Sequence, residues 1–184
     1  TKGYHFPELT LVGVIDADLG LEGGDLRAGE RTYQQIAQVA GRAGRGEKPG
    51  EVLIQTRHPE APVIAALASG NRDAFYDAEA QSRRDAGAPP FGRWAAIIVS
   101  SEDEAEAREA ARAIGGTAPR LPDVMVLGPA PAPMSLLRGR HRYRLLVNAR
   151  RSVQVQAIIR EWLGRLTFPP GVRVAVDVDP YSFV

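Results

Sequence analysis

The sequence predicts an α/β protein in two parts: a strand–helix–strand unit with parallel strands, then a βαββαβ domain. Three observations carry this. Leu9 to Ile15, "LTLVGVI", is a nearly continuous apolar run, the pattern of a strand buried on both faces of a parallel sheet. Tyr33, Ile36, Ala40 and Ala43 recur at spacings of three and four, which puts them on one face of a helix. Beyond "GAPPFG", residues 87–92, the pattern restarts, and consecutive prolines cannot continue a helix, so a boundary is expected there.

Taken in order, the first strand ends in Asp16 and Asp18 and runs into a glycine-rich loop through Gly29. A helix is predicted from about Glu30. Glu51 to Thr56, "EVLIQT", is the second strand. In such a unit, ligand chemistry gathers at loops and helix ends along one edge of the sheet. Residues 58–87 read as two short helices broken at Ser69-Gly70-Asn71, a charged connector.

In the second part, Arg93 to Ser100 is a strand, and Ser101 to Glu104 fits a capping box that opens a helix to about Ile114. A short strand, Val124 to Leu127, leads into a proline-broken "GPAPAP". Arg140 to Asn148 is a strand, Ser152 to Leu166 a helix, and Val172 to Val178 the last strand. This order is that of a ferredoxin-like sandwich with its helices on one sheet face. The domains expected are 1–58, a helical connector 59–87, and 88–184.

Composition narrows the function classes. At 184 residues, with 44% hydrophobic and 24% charged residues, the chain has the balance of a folded globular protein. It contains no cysteine, which excludes disulfides and cysteine-ligated zinc or iron–sulfur sites. No apolar run approaches the roughly 20 residues of a membrane span, and no signal-peptide pattern opens the chain. A cytoplasmic chain without a membrane partner is therefore expected. Of 23 basic residues only Lys2 and Lys48 are lysines, a bias that lowers the meaning of any single arginine. The chain opens "TKGYHFPELTLVGVIDAD", without methionine and a few residues ahead of a strand, and it reads as a piece of something longer.

Two motifs are near misses. A phosphate-binding loop needs G-x-x-x-x-G-K-[ST]; Gly41 and Gly46 have the spacing, but Glu47 stands where the lysine belongs. "DEAE", residues 103–106, looks like the acidic box of many helicases. It lies at a helix start, where carboxylates favour the dipole, and is read as a solvated helix end.

"QVAGRAGR", Gln38 to Arg45, asks more. Gln35, Gln38, Arg42 and Arg45 form a second stripe on the predicted helix. Two guanidinium forks one turn apart suit polyphosphate recognition, and Gly41 and Gly44 would clear side chains from between helix and ligand. By spacing alone, the simpler reading is a solvated basic helix end.

The motif resembles motif VI of superfamily 2 helicases, Q-x-x-G-R-x-G-R, and Thr1 to Val12 is similar to their motif V. The match is closest to the PriA-type (primosomal protein N′) family of replication-restart helicases: K-G-x-x-F-P-x-x-T-L-V, then D-x-D, then Q-V-A-G-R-A-G-R, and near the end V-D-V-D-P, here Val176 to Pro180. "GEVLIQTRHPE", "APPF" and "VLGPAPAP" extend it across almost the whole chain.

The resemblance implies that residues 1–58 end the second RecA-like helicase lobe and that the C-terminal domain has a ribosomal-protein S10 fold. It makes Arg42 and Arg45 arginine fingers, with Gln38 at the nucleotide. Lys2, Gly3 and His5 fall in motif V, between nucleotide site and DNA; Gly3 is assigned to the nucleotide, Lys2 and His5 to DNA. It implies a parent that is a bacterial, nucleoid-associated 3′-to-5′ DNA helicase using ATP and magnesium. That parent would act on branched or forked DNA with single-stranded DNA-binding protein and other primosome proteins, and would carry zinc upstream of this segment. This chain alone, lacking phosphate loop and acidic box, is expected to be inactive and to hold no metal. The alternative is a non-catalytic S10-like nucleic-acid-binding module.

In "LLRGRHRYRLLVNARR", Arg138, Arg140, Arg142 and Arg144 fall at every second residue. On a strand they share one face, opposite His141, Tyr143, Leu145 and Val147. Such a stripe neutralises phosphates, or is a solvated face. Trp94 and Trp162 are read as core, and His58 and His141 lack the company of a metal site.

Overall fold

The computed structural model describes residues 8–21, 27–44 and 48–180. The chain divides into two compact units, Thr1–Ala80 and Gln81–Val184.

In the first unit, β1 (Leu11–Val14) pairs in parallel with β2 (Glu51–Ile54), Leu11 opposite Glu51 and Val14 opposite Ile54. Between them runs α1 (Ala28–Ala40). It turns Ile36 into a cluster with Ala17, Val63, Ile64, Ala66 and Phe75, and Tyr33 stacks on Phe75 with ring centroids 4.9 Å apart. The connector is α2 (Pro62–Ser69) and α3 (Arg72–Asp85). Gly70, at φ 68°, ends α2, and the Asn71 side chain accepts the N–H of Ala74 to start α3, so the break falls where the sequence puts it. The two-sided burial predicted for β1 is not seen in this chain: Val12 is buried, but Leu11 is 52% and Ile15 80% exposed. Among the described residues β1 has one strand neighbour, β2, and a two-strand sheet buries one face.

The second unit is a four-stranded antiparallel sheet in the order β4-β5-β3-β6. The strands are β3 (Gly92–Ser101), β4 (Val124–Leu137), β5 (Arg140–Arg150) and β6 (Arg173–Val178), with α4 (Glu104–Gly116) and α5 (Val155–Gly164) between them. Alternation sorts the faces. Ala95, Ile97 and Val99 of β3 and Leu145, Val147 and Ala149 of β5 join Ile114 of α4 and Val155, Ile159 and Trp162 of α5 in one core. This is the predicted ferredoxin-like βαββαβ sandwich.

Three local expectations need correction. The cap of α4 is Asp103, whose carboxylate accepts the N–H of Glu106 at 2.9 Å. Ser101 belongs to β3, donates to the Glu106 carboxylate and accepts the Asp103 N–H, so the cap stands two residues later than predicted and no reciprocal box closes. Second, β4 does not stop at Leu127 but continues through "GPAPAP", with register shifts between Leu127 and Ala130 and between Pro131 and Leu136. Pro129 and Pro133 fall inside the two shifts, and Pro131 is in register opposite Tyr143. β4 is an edge strand, and an edge has one side that needs no donor. Third, Trp162 is core but Trp94 is not: it lies half-buried on the face opposite the helices, in register with Asn148.

Candidate nucleotide and nucleic-acid sites

The helix that carries Gln38 stops at Ala40, so Arg42 is not on a helical stripe with it. Gly41 N–H closes α1 onto Ala37 O, and Arg42 and Ala43 follow as tight turns onto Val39 O and Ala40 O at 3.1 Å, the tightened end common at helix C-termini. Gly44 then takes φ 69° and donates to Leu9 O at 2.9 Å, which pins the turn to the amino end of β1. Backbone packing requires two of the glycines: a Cβ on Gly44 would stand 2.7 Å from the Gly50 nitrogen, and one on Gly50 would overlap Gly44 and Ala43. Two glycines let these segments cross before Glu51 N–H bonds Thr10 O and β2 begins. The result holds half-buried Arg42 on a pinned turn just past exposed Gln38. Arg45, Lys2, Gly3 and His5 lie outside the described residues.

At the other end of the two strands stands a residue to which the motifs assign no role. Asp18 is 4% exposed. Its carboxylate accepts from Thr56 Oγ1 at 2.5 Å and from Arg57 N–H at 2.8 Å, and pairs with Arg57 Nε at 3.5 Å. The Thr56 hydroxyl first, then the Arg57 N–H, hold its carboxyl below the ordinary range. Asp18 thus ties the loop after β1 to the loop after β2. The sequence signal for it is the D-x-D at the end of the first strand.

The arginine row behaves as two kinds of residue. Arg142 and Arg144 lie on the sheet face away from the helices, opposite Ser100 and Ile98 of β3, as alternation predicts. Arg138 is not on the strand: with Gly139 it makes the turn between β4 and β5, at φ 51° and 74°. Arg140 is on the strand, but its side chain is only 16% exposed. It donates to Ser100 O at 3.0 Å and Gly171 O at 2.6 Å and pairs with Glu102 at 3.3 Å. It stitches the end of β3 to the segment before β6. A guanidinium so engaged is a structural clamp.

One further signal is a matter of charge order. Between Asp123 and Glu161 the chain holds seven arginines and no carboxylate, in a protein whose formal net charge is +1. That stretch is β4, β5 and most of α5, so the imbalance falls on one part of one unit. Among the described residues no three His, Asp or Glu side chains come together as a metal site, and no helix is long and apolar enough to cross a membrane.

A parallel strand–helix–strand unit closed by an arginine–glycine turn, followed by a basic ferredoxin-like sandwich, defines the class: a two-part α/β chain with an excess of arginine in its second part. The family described as primosomal protein N C-terminal domain matches residues 84–181, and the chain belongs to it. Over 183 residues it is 44% identical to the replication restart protein PriA of Rickettsia conorii, covering all of this chain and 28% of that protein. It is 36% identical to the proteins of the same name from Bacillus subtilis and Haemophilus influenzae, covering 23% and 25% of them. The chain thus spans about a quarter of the length of these relatives. The family resemblance read from the motifs is borne out.

Proposed function

We propose that this chain is the C-terminal part of an ATP-dependent DNA helicase that binds stalled or branched forks, moves 3′ to 5′, and starts primosome assembly. The single observation that carries the reading is the pinned turn after α1. It carries Arg42 beyond a helix end, where a rigid fork suits a terminal phosphate of ATP held by another lobe; Arg45 joins it by its place in the motif. Gln38 lies one turn earlier and serves the same nucleotide; Gly3 for the nucleotide and Lys2 and His5 for DNA are assigned by their places in the motif V sequence.

The phosphate loop, the magnesium-holding acidic box and the zinc ligands belong, on this reading, to the upstream sequence. Glu47 in the place of a phosphate-loop lysine fits that assignment. The 184-residue chain alone neither binds nor hydrolyses ATP. Its second unit contributes DNA contact through Arg142 and Arg144, with Arg138 at the turn. The partners are forked DNA, single-stranded DNA-binding protein and other primosome proteins, in the bacterial cytoplasm near the nucleoid.

The test is titration of this chain with forked DNA and, separately, with ATP and magnesium. Salt-sensitive DNA binding with no heat of nucleotide binding is expected. Saturable ATP binding contradicts the division of labour. Absence of DNA binding at low salt removes the role of the second unit.

A further inference from the structure

The turn between β4 and β5 exposes what a soluble surface ordinarily hides. Leu136 is 59%, Leu137 39% and Met134 40% exposed. Leu136 stands opposite His141 and Leu137 opposite Arg140, and successive strand residues point to opposite faces. Each face of the hairpin end therefore presents an exposed leucine. Arg138 and Gly139 close it as a two-residue turn with both φ positive, the tight geometry whose twist matches the strands. Arginine is not the residue such a turn favours. Arg142 reaches across to donate to Met134 O at 3.4 Å, so a guanidinium flanks the apolar end as well.

We infer that this hairpin end is a wedge for the bases at a DNA junction, Leu136 and Leu137 against base faces and Arg138 and Arg142 toward the flanking phosphates. The inference rests on the reading of the second unit as DNA-binding and names the part of the DNA it meets. Charge selects the occupant: the hairpin lies in a stretch of chain with seven arginines and no carboxylate, and while Glu102 pairs with Arg140 and Asp123 with Arg150, Arg138 and Arg142 at the hairpin end complement a polyanion. The leucines then select among DNA structures. An uninterrupted duplex offers phosphates and stacked pairs whose faces are covered; apolar side chains meet base faces only where stacking is interrupted, as with the Leu, Ile and Met wedges of minor-groove proteins.

The experiment uses the 184-residue chain with two DNAs of equal length: a fork with 2-aminopurine beside the junction, and an uninterrupted duplex. Anisotropy gives affinity, and 2-aminopurine fluorescence reports unstacking. The unchanged chain is expected to prefer the fork and to change the probe's fluorescence. Leu136→Ser with Leu137→Ser is expected to lower fork affinity about tenfold, the scale for removing an apolar surface of this size, and to leave duplex affinity within about twofold. Leu136→Met with Leu137→Met, which keeps the apolar surface, is expected to retain fork preference. Thermal unfolding by circular dichroism confirms that each variant folds.

Equal affinities of the unchanged chain for both DNAs, with a silent probe, overturn the wedge while leaving DNA binding in place. So does a serine variant with unaltered fork affinity, which would mean that protein, not DNA, covers the hairpin. No binding to either DNA overturns this inference together with the reading on which it rests.

Discussion

Arg93 and Asp179, 86 positions apart, meet at 2.7 Å, guanidinium to carboxylate. The other carboxylate oxygen accepts the N–H of Trp94 at 3.1 Å, and Asp179 N–H returns a bond to Trp94 O. The last aspartate of "VDVDP" thus fastens the end of β6 to the start of β3. Arg93 is partly exposed, so the ion pair itself contributes little; the backbone bond to Trp94 matters more. Asp179→Ala is expected to destabilise the second unit by roughly 1–2 kcal/mol and Arg93→Ala by less than that, measured by urea unfolding.

Asp18 makes stability depend on pH in a set direction. Its folded-state carboxyl is held low, first by Thr56 and then by Arg57 N–H. A depressed folded value gives stability that is present above the unfolded value, about 3.9, and lost as pH falls through the folded one. Unfolding midpoints of the unchanged chain are expected to drop from about pH 5 downward, and those of Asp18→Asn to drop less. Parallel acid limbs for the two proteins would mean that the carboxylate does not fasten the two loops.

The crossing of Gly44 and Gly50 sets the turn that carries Arg42. A Cβ at Gly50 meets backbone on both Ala43 and Gly44, and backbone cannot swing aside as a side chain can. Gly50→Ala is expected to cost roughly 1–3 kcal/mol in the first unit, checked by thermal unfolding, and to loosen the amide of Gly44 in hydrogen exchange.

Arg140 and its neighbours separate structure from DNA contact. Arg140→Ala removes bonds to Ser100 O and Gly171 O and is expected to cost roughly 1.5–3 kcal/mol. Arg142→Ala with Arg144→Ala is expected to leave the unit folded. It should flatten the slope of log affinity against log salt by about 2, since each phosphate that an arginine no longer neutralises on duplex DNA removes about 0.9. Urea unfolding and anisotropy at several salt concentrations check the two halves.

These residues show what the sequence could and could not carry. Strand parity in β3 and β5 is a period of two, and it places Arg142 and Arg144 correctly because both strands are half-buried along their length. The same parity puts Arg140 beside them but cannot see that its guanidinium reaches Gly171, 31 positions away. The helix period carries α1 as far as Ala40; beyond it, the turn geometry comes from a close approach to Gly50, which no local period encodes. The prolines of β4 read as a break because a central strand cannot hold them, and nothing in a single sequence says that a strand is at an edge. Asp18 is plain in the motif, but its role depends on Thr56, 38 positions on.

The most direct measurement is DNA-stimulated ATP hydrolysis by the full-length protein carrying Arg42→Ala or Arg45→Ala, beside its DNA affinity without nucleotide. Each variant is expected to lose about 10³-fold or more in turnover, the scale of an arginine finger in other phosphoryl-transfer systems. DNA affinity is expected to stay within about twofold, because the guanidinium removed serves ATP. Turnover within a few-fold of the unchanged protein in both variants would contradict the account and leave the turn a structural end to α1.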